Sequence, residues 1–277
     1  MPCAIFLAIV CIFTYQSYNQ PRTIVLDSVN SLGFAGSTDL WYQHLSPSNS
    51  QPDYCTSNRE WILDLYSNVH AKLHRDCTVT RRIGHDADGG KILCLDSAKN
   101  SGCTVYSLGS RLDFSFEKSI LEVFDCEVHT FDCTVGKPDP SKIPSEIHFH
   151  PWCIGSDSGL FPVSSDLGFS GSMGQYYTLA DAMSLLGHSE LDLLKMDIER
   201  HEIAVIAALT SQSAPQQVVF ETHLHNAYGM WGRPMSPEEW EAMWDKLSEL
   251  GYQIFSHEPN ELCLCCSEWS LLKLNYT

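Results

Sequence analysis

The sequence predicts an α/β fold in which a mostly parallel sheet carries helices on both faces. From residue 103 onward, short apolar runs typical of strands alternate with segments of helical periodicity. Such alternation connects parallel strands through right-handed crossovers. The last two apolar runs, 252–255 and 269–274, have no helix between them. They therefore indicate an antiparallel hairpin at one edge of the sheet.

Five earlier runs are interpreted as the other strands of this sheet. They cover residues 103–108, 127–131, 146–150, 191–196 and 217–220. Four of them are followed directly by a glycine or an acidic residue, namely Gly109, Asp132, Asp197 and Glu221. Ligands of open α/β sheets bind outside the carboxyl ends of the strands, so these four are candidate site residues.

Several of the segments between the strands carry helical periodicity, whereas residues 155–175 are rich in Gly and Ser and predict a loop. The clearest helix begins after Ser236, an N-cap residue followed by Pro237 at the first helical position. Gly251 ends it. The other predicted helices are 61–74, 114–124, 178–186 and 203–209.

The N-terminal region is predicted to be separate from the sheet. Residues 1–18 contain a short apolar run typical of a signal peptide or a short membrane anchor, with a buried strand or helix as the alternative. Residues 19–55 predict a polar linker, and 56–100 an extension that packs on, or lids, the main domain at 101–277. A targeting segment predicts the secretory pathway, in the ER or Golgi membrane or secreted; without one, the protein is expected in the cytoplasm.

Composition narrows the class of partner. The 277 residues include 34 acidic and 17 basic side chains, which gives a formal net charge of −17. This balance argues against a nucleic-acid partner, because no block of Lys and Arg is present to neutralise phosphates. A nucleotide-like cofactor is still compatible with it, since backbone groups and a few side chains hold such a ligand.

The 12 cysteines do not follow a zinc-binding pattern, because the C-terminal group of Cys263, Cys265 and Cys266 lacks paired CxxC spacing. Several others lie in apolar strand-like runs, where a buried thiol is the simplest interpretation. Cys55 and Cys77 lie in polar segments and are candidates for disulfides in an oxidising compartment. Disulfides are therefore expected if the N-terminal segment directs secretion.

Two residues fit the needs of a nucleoside cofactor. Gly109 allows a sharp turn after the first strand, where the backbone must approach the ligand. Asp132 follows 23 residues later and is placed to accept hydrogens from a ribose diol. Taken alone, the two residues are equally compatible with a strand-ending turn and a solvated acid.

A wider combination of segments is more specific. These segments are DGGKILCL at 88–95, YSLGSRLDFSFE at 106–117, CEVHTFD at 126–132, DLLKMDIE at 192–199 and VVFETHLH at 218–225. Together they resemble the methyltransferase-like protein 24 group, a branch of S-adenosylmethionine-dependent methyltransferases related to the FkbM type. The resemblance covers roughly residues 60–275 and implies a Rossmann-like seven-stranded methyltransferase sheet with an antiparallel C-terminal hairpin.

The resemblance also implies which residues bind S-adenosylmethionine. The segment 107–113 would wrap the methionine part, Asp132 would hold the ribose hydroxyls, and Ile154 and Gly155 would flank the adenine. Asp197 would lie beside the methionine part or the substrate. The implied cofactor-binding residues are therefore Ser107, Gly109, Ser110, Asp113, Asp132, Ile154, Gly155 and Asp197.

Methyl transfer requires an aligned acceptor and, for a hydroxyl acceptor, removal of a proton. The candidate catalytic residues are His223, Asp197 and Glu221, and His225 is a further candidate base. His223 ranks first by position, because an imidazole with a reference pKa of about 6.5 accepts a proton near neutrality; its alternative role is to cap a strand end. No metal is predicted, although a divalent cation among the strand-end carboxylates and histidines is an alternative.

Two departures from the family pattern leave other functions open. Gly109 is the only glycine in the first loop, and Arg200 and His201 stand where FkbM-type chains usually have a glycine. A catalytically inactive Rossmann-fold binding module is therefore one alternative. An NAD-type oxidoreductase is the other, but the chain contains no G-x-G-x-x-G. The favoured prediction is O-methylation of a small-molecule or glycan acceptor; the sequence gives no oligomeric state.

Overall fold

The computed structural model describes residues 58–86, 89–96, 98–136, 138–165, 168–224, 235–260, 263 and 265–274. The predicted targeting segment 1–18, the polar linker 19–55 and His225 lie outside the described residues. All of the described residues belong to one compact unit of the chain. No helix of the described segments combines the length and the apolar character needed to cross a membrane.

The helices and strands follow one another along the described chain with short connections. In chain order they are α1 Arg59–Leu73, β1 Thr80–Ile83, β2 Lys91–Cys94, β3 Ser101–Leu108, α2 Ser115–Val123, β4 Asp125–Phe131, β5 Ile147–His150, β6 Cys153–Ile154, β7 Gly159–Ser165, β8 Gly168–Tyr177, α3 Leu179–Leu186, β9 Leu193–Met196, α4 Glu202–Ala208, β10 Gln217–His223, α5 Pro237–Glu249, β11 Tyr252–Pro259 and β12 Cys266–Lys273. All seven strands predicted for the main sheet are present.

The main sheet has seven strands in the order β11-β12-β10-β9-β3-β4-β5. Strands β5, β4, β3, β9 and β10 run parallel, and this 3-2-1-4-5 order is that of a Rossmann fold. Strand β12 pairs antiparallel with both β10 and β11, so the predicted C-terminal hairpin is confirmed. The order reverses between β3 and β9, which is where a ligand crevice forms in such sheets.

Both faces of the sheet are covered. Helices α1, α3, α4 and α5 pack on one face with strand residues such as Tyr106, Phe131 and Phe220. Helix α2 and the β1–β2 hairpin pack on the other face with residues such as Val105 and Val219. Strands buried on both sides need apolar side chains at successive positions, which explains the unbroken apolar runs in the sequence. The prediction of helices on both faces is confirmed.

Local sequence signals set the helix ends. The Ser236 hydroxyl accepts a hydrogen bond from the Glu239 N–H at 3.2 Å, and the Glu239 carboxylate accepts one from the Ser236 N–H at 2.9 Å, so the two form a capping box at the start of α5. Helix α3 begins where the Thr178 hydroxyl accepts a hydrogen bond from the Asp181 N–H at 3.1 Å. It ends at Gly187, whose φ of 80° is left-handed.

The prediction of a loop over residues 155–175 is wrong. Strands β7 and β8 pair antiparallel, and β6 joins β8 to complete a second, three-stranded sheet in the order β6-β8-β7. Glycine in this segment serves packing, because a Cβ on Gly174 would lie 2.5 Å from the Val163 side chain. The pairing rests on backbone hydrogen bonds, which the Gly- and Ser-rich composition does not reveal.

The segment that precedes β3 packs on the main sheet. The Gln217 side chain of β10 exchanges two hydrogen bonds with the Cys94 backbone of β2, at 2.7 and 3.0 Å. After α1, the Arg75 N–H donates to the Ile254 carbonyl of β11 at 2.8 Å. Residues of the predicted extension therefore contact β10 and β11, the two strands that pair antiparallel with β12.

Disulfides join neighbouring elements throughout the described residues. The bonded pairs are Cys77–Cys94, Cys103–Cys126, Cys133–Cys153 and Cys263–Cys266. Cys77, a predicted disulfide candidate, is thus bonded to Cys94 of β2, whereas Cys55 lies outside the described residues. Cys103–Cys126 links the adjacent strands β3 and β4 near the residues where both strands begin.

The Ser236 cap provides a test of this architecture. We expect Ser236→Ala to lower the free energy of unfolding by about 1 kcal/mol, because the Glu239 N–H loses its acceptor. Chemical denaturation monitored by circular dichroism measures the change. Ser184→Ala, on the exposed side of α3, is the matched control and should change stability by less than about 0.5 kcal/mol. Equal effects from both variants would contradict the capping role.

Candidate functional site

A cavity of about 360 Å³ opens at the carboxyl ends of β3, β4, β9 and β10. Its position matches the point where the strand order reverses. The predicted site residues that line it are Gly109, Ser110, Asp113, Asp132, Ile154, Asp197 and Glu221. Ser107, Gly155 and His223 are not among its lining residues. The cavity therefore collects seven of the ten predicted site residues from five separate chain segments.

The turn after β3 requires a glycine. Gly109 has a φ of 79°, and a Cβ on it would lie 2.0 Å from the Asp197 carbonyl oxygen. Its N–H donates to the Phe131 carbonyl at 2.9 Å. The buried Lys195 ammonium donates to the Gly109 and Leu108 carbonyls at 2.6 and 3.2 Å. The ends of β3, β4 and β9 are thus held together at this one residue.

Asp132 joins the two loops that border the cavity. Its Oδ2 accepts a hydrogen bond from the Arg111 N–H at 2.8 Å, and its Oδ1 accepts from the Thr134 N–H at 2.9 Å and the Thr134 hydroxyl at 2.7 Å. Arg111 and Leu112 both have left-handed φ angles, of 48° and 65°. Strained backbone of this kind persists where surrounding contacts hold it, and the Asp132 carboxylate supplies one such contact.

The second sheet forms the wall opposite this turn. Trp152, Ile154 and Tyr176 line the cavity, and so do both cysteines of the Cys133–Cys153 disulfide. Gly155 lies just behind this wall, where its N–H donates to the Tyr177 carbonyl at 2.9 Å. The disulfide therefore ties the loop after β4 to the aromatic wall.

Ser107, another predicted cofactor residue, is fully buried inside β3. Its hydroxyl has no hydrogen-bond partner within the described residues. It lies two residues before Gly109 and is not among the residues that line the cavity.

A buried lysine, Lys91, lies behind the acidic end of the cavity and is not among the lining residues. The Lys91 ammonium is 2.6 Å from Glu268 Oε1 and 3.2 Å from Asp197 Oδ2. Burial alone would lower the pKa of Lys91, but the carboxylates of Asp197, Glu268 and Glu221 outweigh it and raise that pKa. Lys91 is therefore charged and offsets part of the negative charge of the buried acids.

The acids at this end differ in protonation. Burial tends to raise the pKa of Asp197, but Lys91, Lys195 and His223 together hold it below its usual range. Burial, together with the negative charges of Asp197 and Glu268, raises the pKa of Glu221 to about 9. At neutral pH the cavity therefore presents an ionised carboxylate at Asp197 and a neutral carboxyl group at Glu221.

His223 lies next to Glu221 and outside the cavity lining. Its Nε2 is 3.5 Å from Glu221 Oε2 and 3.4 Å from Glu199 Oε2. Its Nδ1 is buried without a hydrogen-bond partner in the described part of the chain. Residues 221 and 223 share a face of β10, because side chains alternate along a strand. His223 is positioned to exchange a proton with Glu221.

The turn after β9 keeps a glycine-like conformation without a glycine. Glu199 and Arg200 have φ angles of 53° and 79°, in the left-handed region that favours glycine. The chain is held there by the Glu202 carboxylate, which accepts a hydrogen bond from the Ile198 N–H at 2.7 Å. The chain therefore adopts a left-handed turn here although it lacks the glycine that FkbM-type chains usually have at this point.

Sequence reasoning missed three charged residues of the site, namely Lys91, Lys195 and Glu268. Each is a charged residue in a strand whose residues are mostly buried. A charge in such a position needs a partner, and that signal was available for Lys195 between Leu194 and Met196. The sequence does not reveal which residue is the partner, because Lys91 and Glu268 are 177 residues apart in the chain.

Comparisons with known proteins find a family that matches most of the sequence and a relative that matches part of it. A family described as a methyltransferase domain matches residues 37–273. The human protein described as "Probable methyltransferase-like protein 24" is 27% identical over 143 residues, which are 48% of this chain and 38% of that protein. The chain therefore spans well under two thirds of the length of this relative.

Two solved structures are similar in part. A SAM dependent methyltransferase from Aquifex aeolicus has a TM-score of 0.32 at 11% identity, over 64% of this chain and 85% of that one. A mutant 16S rRNA (adenine(1408)-N(1))-methyltransferase from Catenulisporales acidiphilia, solved with its cosubstrate SAM, has a TM-score of 0.36 at 9% identity, over 64% and 87%. Because the family match extends over most of the sequence, the chain belongs to the methyltransferase domain family, with S-adenosylmethionine as its cofactor.

Proposed function

We propose that the protein transfers the methyl group of S-adenosylmethionine to a hydroxyl oxygen of a small-molecule or glycan acceptor. One observation carries the proposal: a single cavity has the Gly109 turn and Asp132 on one side and the carboxyl groups of Asp197 and Glu221 on the other. The first pair suits the nucleoside and methionine parts of the cofactor. The second pair lies where an acceptor hydroxyl must lose its proton.

The lining residues fit the cofactor. Asp132 is a buried carboxylate at the end of β4, in the position that binds a ribose diol in Rossmann folds. Glu117 Oε2 is a buried carboxylate oxygen without a hydrogen-bond partner in the described chain, and Glu117 lines the cavity. Buried polar atoms are nearly always hydrogen-bonded, so a ligand donor is expected to satisfy this oxygen. Trp152 and Ile154 supply an apolar wall for a flat base.

The bound cofactor supplies an activated methyl group on a positively charged sulfonium. The ionised Asp197 carboxylate lowers the electrostatic cost of holding that charge in a partly buried site. Lys91, held between Asp197 and Glu268, keeps Asp197 ionised and fixes its orientation. We therefore assign Asp197 to cofactor positioning as well as to the acceptor side.

The proton of the acceptor hydroxyl leaves through Glu221 and His223. A neutral carboxyl group both donates and accepts a hydrogen bond, so Glu221 can take a proton on one oxygen while it gives one up from the other. Glu221 Oε1 is fixed by the Asn260 side-chain N–H at 2.9 Å, and Oε2 faces His223 Nε2 at 3.5 Å. His223 is thus the final base of the proposed route, although it does not line the cavity.

No metal ion is needed in this scheme. The Lys91 ammonium lies among Asp197, Glu221 and Glu268, the carboxylates that an oxygen-coordinated cation would use. A divalent ion there would have to displace a buried cation that already holds two ion pairs. This arrangement supports a metal-independent methyl transfer.

The acceptor class follows from charge and cavity chemistry. The net charge of −17 disfavours a polyanion such as RNA, and the carboxyl groups of Asp197 and Glu221 at the acceptor end of the cavity can hydrogen-bond a hydroxylated acceptor. The described disulfides are typical of secreted and lumenal proteins. The disulfides support a location in the secretory pathway, in the ER or Golgi membrane or secreted, and membrane anchoring through the N-terminal segment is one form of that proposal.

Calorimetric titration tests the cofactor site. We expect the protein to bind S-adenosylmethionine and S-adenosylhomocysteine, and Asp132→Ala to weaken both by at least about 10-fold, because a charged hydrogen-bond acceptor is lost. Asp125→Ala, exposed at the start of β4, is the matched control and should bind normally. Binding of NAD in place of these ligands would favour an oxidoreductase. Absence of binding by folded protein would contradict the cofactor assignment, and binding without turnover would favour an inactive module.

Labelled methyl transfer tests the proton route. We expect Glu221→Gln and His223→Ala to lower turnover about 10²- to 10⁴-fold, the usual contribution of acid–base catalysis. Affinity for the cofactor should be unchanged. The measurement is transfer of label from S-adenosylmethionine to a panel of hydroxylated small molecules and glycans, with RNA as a parallel arm. His74→Ala, a half-exposed histidine that does not line the cavity, serves as the control.

Two results would count against this proposal. Full turnover by His223→Ala would remove His223 from the proton route. Label that enters RNA and none of the hydroxylated acceptors would overturn the acceptor class while leaving the cofactor site intact.

The raised pKa of Glu221 predicts a pH-dependent stability. Between the usual glutamate range and about pH 9, Glu221 binds a proton in the folded state and not in the unfolded state. Stability contributed by this proton is full below that window and is lost as the pH rises through it. Glu221→Gln cannot ionise, so at pH 8 it should be more stable than the native protein by about 1 kcal/mol or more.

Urea denaturation at pH 5 and pH 8 measures this difference. Glu146→Gln, an exposed glutamate, is the control and should follow the native pH profile. If the free energy of unfolding of Glu221→Gln changes between pH 5 and pH 8 as much as that of the native protein, Glu221 titrates in its ordinary range.

A further inference from the structure

A second group of titratable side chains lies on the seven-stranded sheet, outside the cavity lining. It contains Glu127, His129, His148, His150 and His188, which we call the histidine cluster. Glu127 and His129 are two residues apart in β4, and His148 and His150 are two residues apart in the adjacent strand β5. In the parallel register His129 is directly opposite His148, so all four side chains project from one face of the sheet.

The fifth member comes from a distant part of the chain. His188 lies two residues beyond the end of α3, after the left-handed turn at Gly187. Its N–H donates to the Met183 carbonyl at 2.8 Å, which fixes the backbone at this point. The His188 ring meets the His129 ring edge-on, with centroids 4.8 Å apart. Three separate elements thus deliver imidazoles to one place.

The ring nitrogens converge on one carboxylate. His129 Nε2 is 3.0 Å and His148 Nε2 is 3.9 Å from Glu127 Oε1, and His188 Nε2 is 3.5 Å from Glu127 Oε2. Ligand atoms in a tetrahedral zinc site with bonds of about 2.0–2.1 Å are separated by about 3.3 Å. The observed separations bracket that value. The ligand atoms of Glu127, His129 and His188 all lie within 4.8 Å of one another.

The far nitrogens of two rings are engaged by other groups. His188 Nδ1 lies 2.6 Å from the Tyr106 hydroxyl, and His129 Nδ1 lies 2.9 Å from His150 Nε2. Metal-binding histidines almost always use the second ring nitrogen in this way, because the outer hydrogen bond fixes the tautomer and aims the first nitrogen. Tyr106 and His150 therefore act as orienting partners, and Nε2 of His129 and of His188 faces Glu127.

We propose that Glu127, His129, His148 and His188 bind one Zn²⁺ ion in a tetrahedral site. Three imidazoles and one carboxylate form a donor set that suits zinc. His129 and His188 are mostly buried and preformed, whereas the half-exposed His148 closes the site from the solvent side. With four protein ligands the site is structural and joins β4, β5 and the turn after α3. It is independent of the methyl transfer proposed above.

The other candidate metal-binding groups in the described residues are weaker. Cys77 and Cys94 are bonded to each other, and so is Cys266 to Cys263, which removes their thiolates. Asp197, Glu221 and Glu268 already surround the Lys91 ammonium. The histidine cluster is the group whose imidazole ligands have both a shared focus and orienting partners.

Metal titration of the full chain tests this site. Protein stripped with a chelator is titrated with Zn²⁺ alone by calorimetry, and with Co²⁺ alone by visible absorption, which reports tetrahedral coordination. We expect one equivalent of tight binding. His188→Ala and His148→Ala, which remove one ligand each, should abolish stoichiometric tight binding, while His74→Ala, which lies outside the histidine cluster, should leave it intact.

An orienting variant separates zinc binding from general packing. Tyr106→Phe keeps all four ligands and should weaken zinc binding about 10- to 100-fold, as loss of an outer partner does at other zinc sites. Circular dichroism establishes that each variant is folded. Absence of stoichiometric binding by the native chain would overturn the proposal, as would binding that His188→Ala and His148→Ala leave unchanged. A Co²⁺ spectrum typical of octahedral coordination would overturn the tetrahedral geometry.

Discussion

The close approach of two strand ends is the constraint on which the site depends. Gly109 after β3 and Asp197 after β9 lie on either side of the point where the strand order reverses. Their backbones approach so closely that a single methyl group on Gly109 would overlap the Asp197 carbonyl oxygen. The Lys195 ammonium donates a hydrogen bond to the Gly109 carbonyl and thereby stabilises this contact. Because the cavity opens beside this contact, its shape depends on the absence of a side chain at Gly109.

Charge compensation is the second organising feature. Asp197, Glu221 and Glu268 are acids that burial would normally neutralise. One buried cation, Lys91, keeps Asp197 ionised, while Glu221 holds its proton. In the proposed reaction the ionised Asp197 faces the sulfonium and the neutral Glu221 relays the proton of the acceptor. The lysine that separates them comes from β2, in the segment that precedes the Rossmann-like core, so this segment contributes to the chemistry as well as to the fold.

The histidine cluster and the cavity are neighbours. The His150 ring lies 4.7 Å from the Trp152 ring and 4.8 Å from the Phe131 ring, and both of these line the cavity. Stacked rings therefore connect the proposed zinc site to the proposed adenine wall. A metal that fixes β4 against β5 would also fix the position of Trp152. The two proposals stay separable, because the zinc ligands touch neither Asp132 nor the carboxyl groups at the other end of the cavity.

Local signals in the sequence predict the seven strands, the antiparallel hairpin and four residues that line the cavity, Gly109, Asp132, Asp197 and Glu221. These signals are apolar runs, an N-cap at Ser236, and a glycine or acid directly after four of the strands. The family resemblance adds Ser110, Asp113 and Ile154. Tertiary structure alone decided that Lys91 meets Glu268, that residues 155–175 form a sheet, and that His188 joins the histidines of β4 and β5. These contacts join segments far apart in the chain through buried charge and backbone hydrogen bonds, and local periodicity encodes neither.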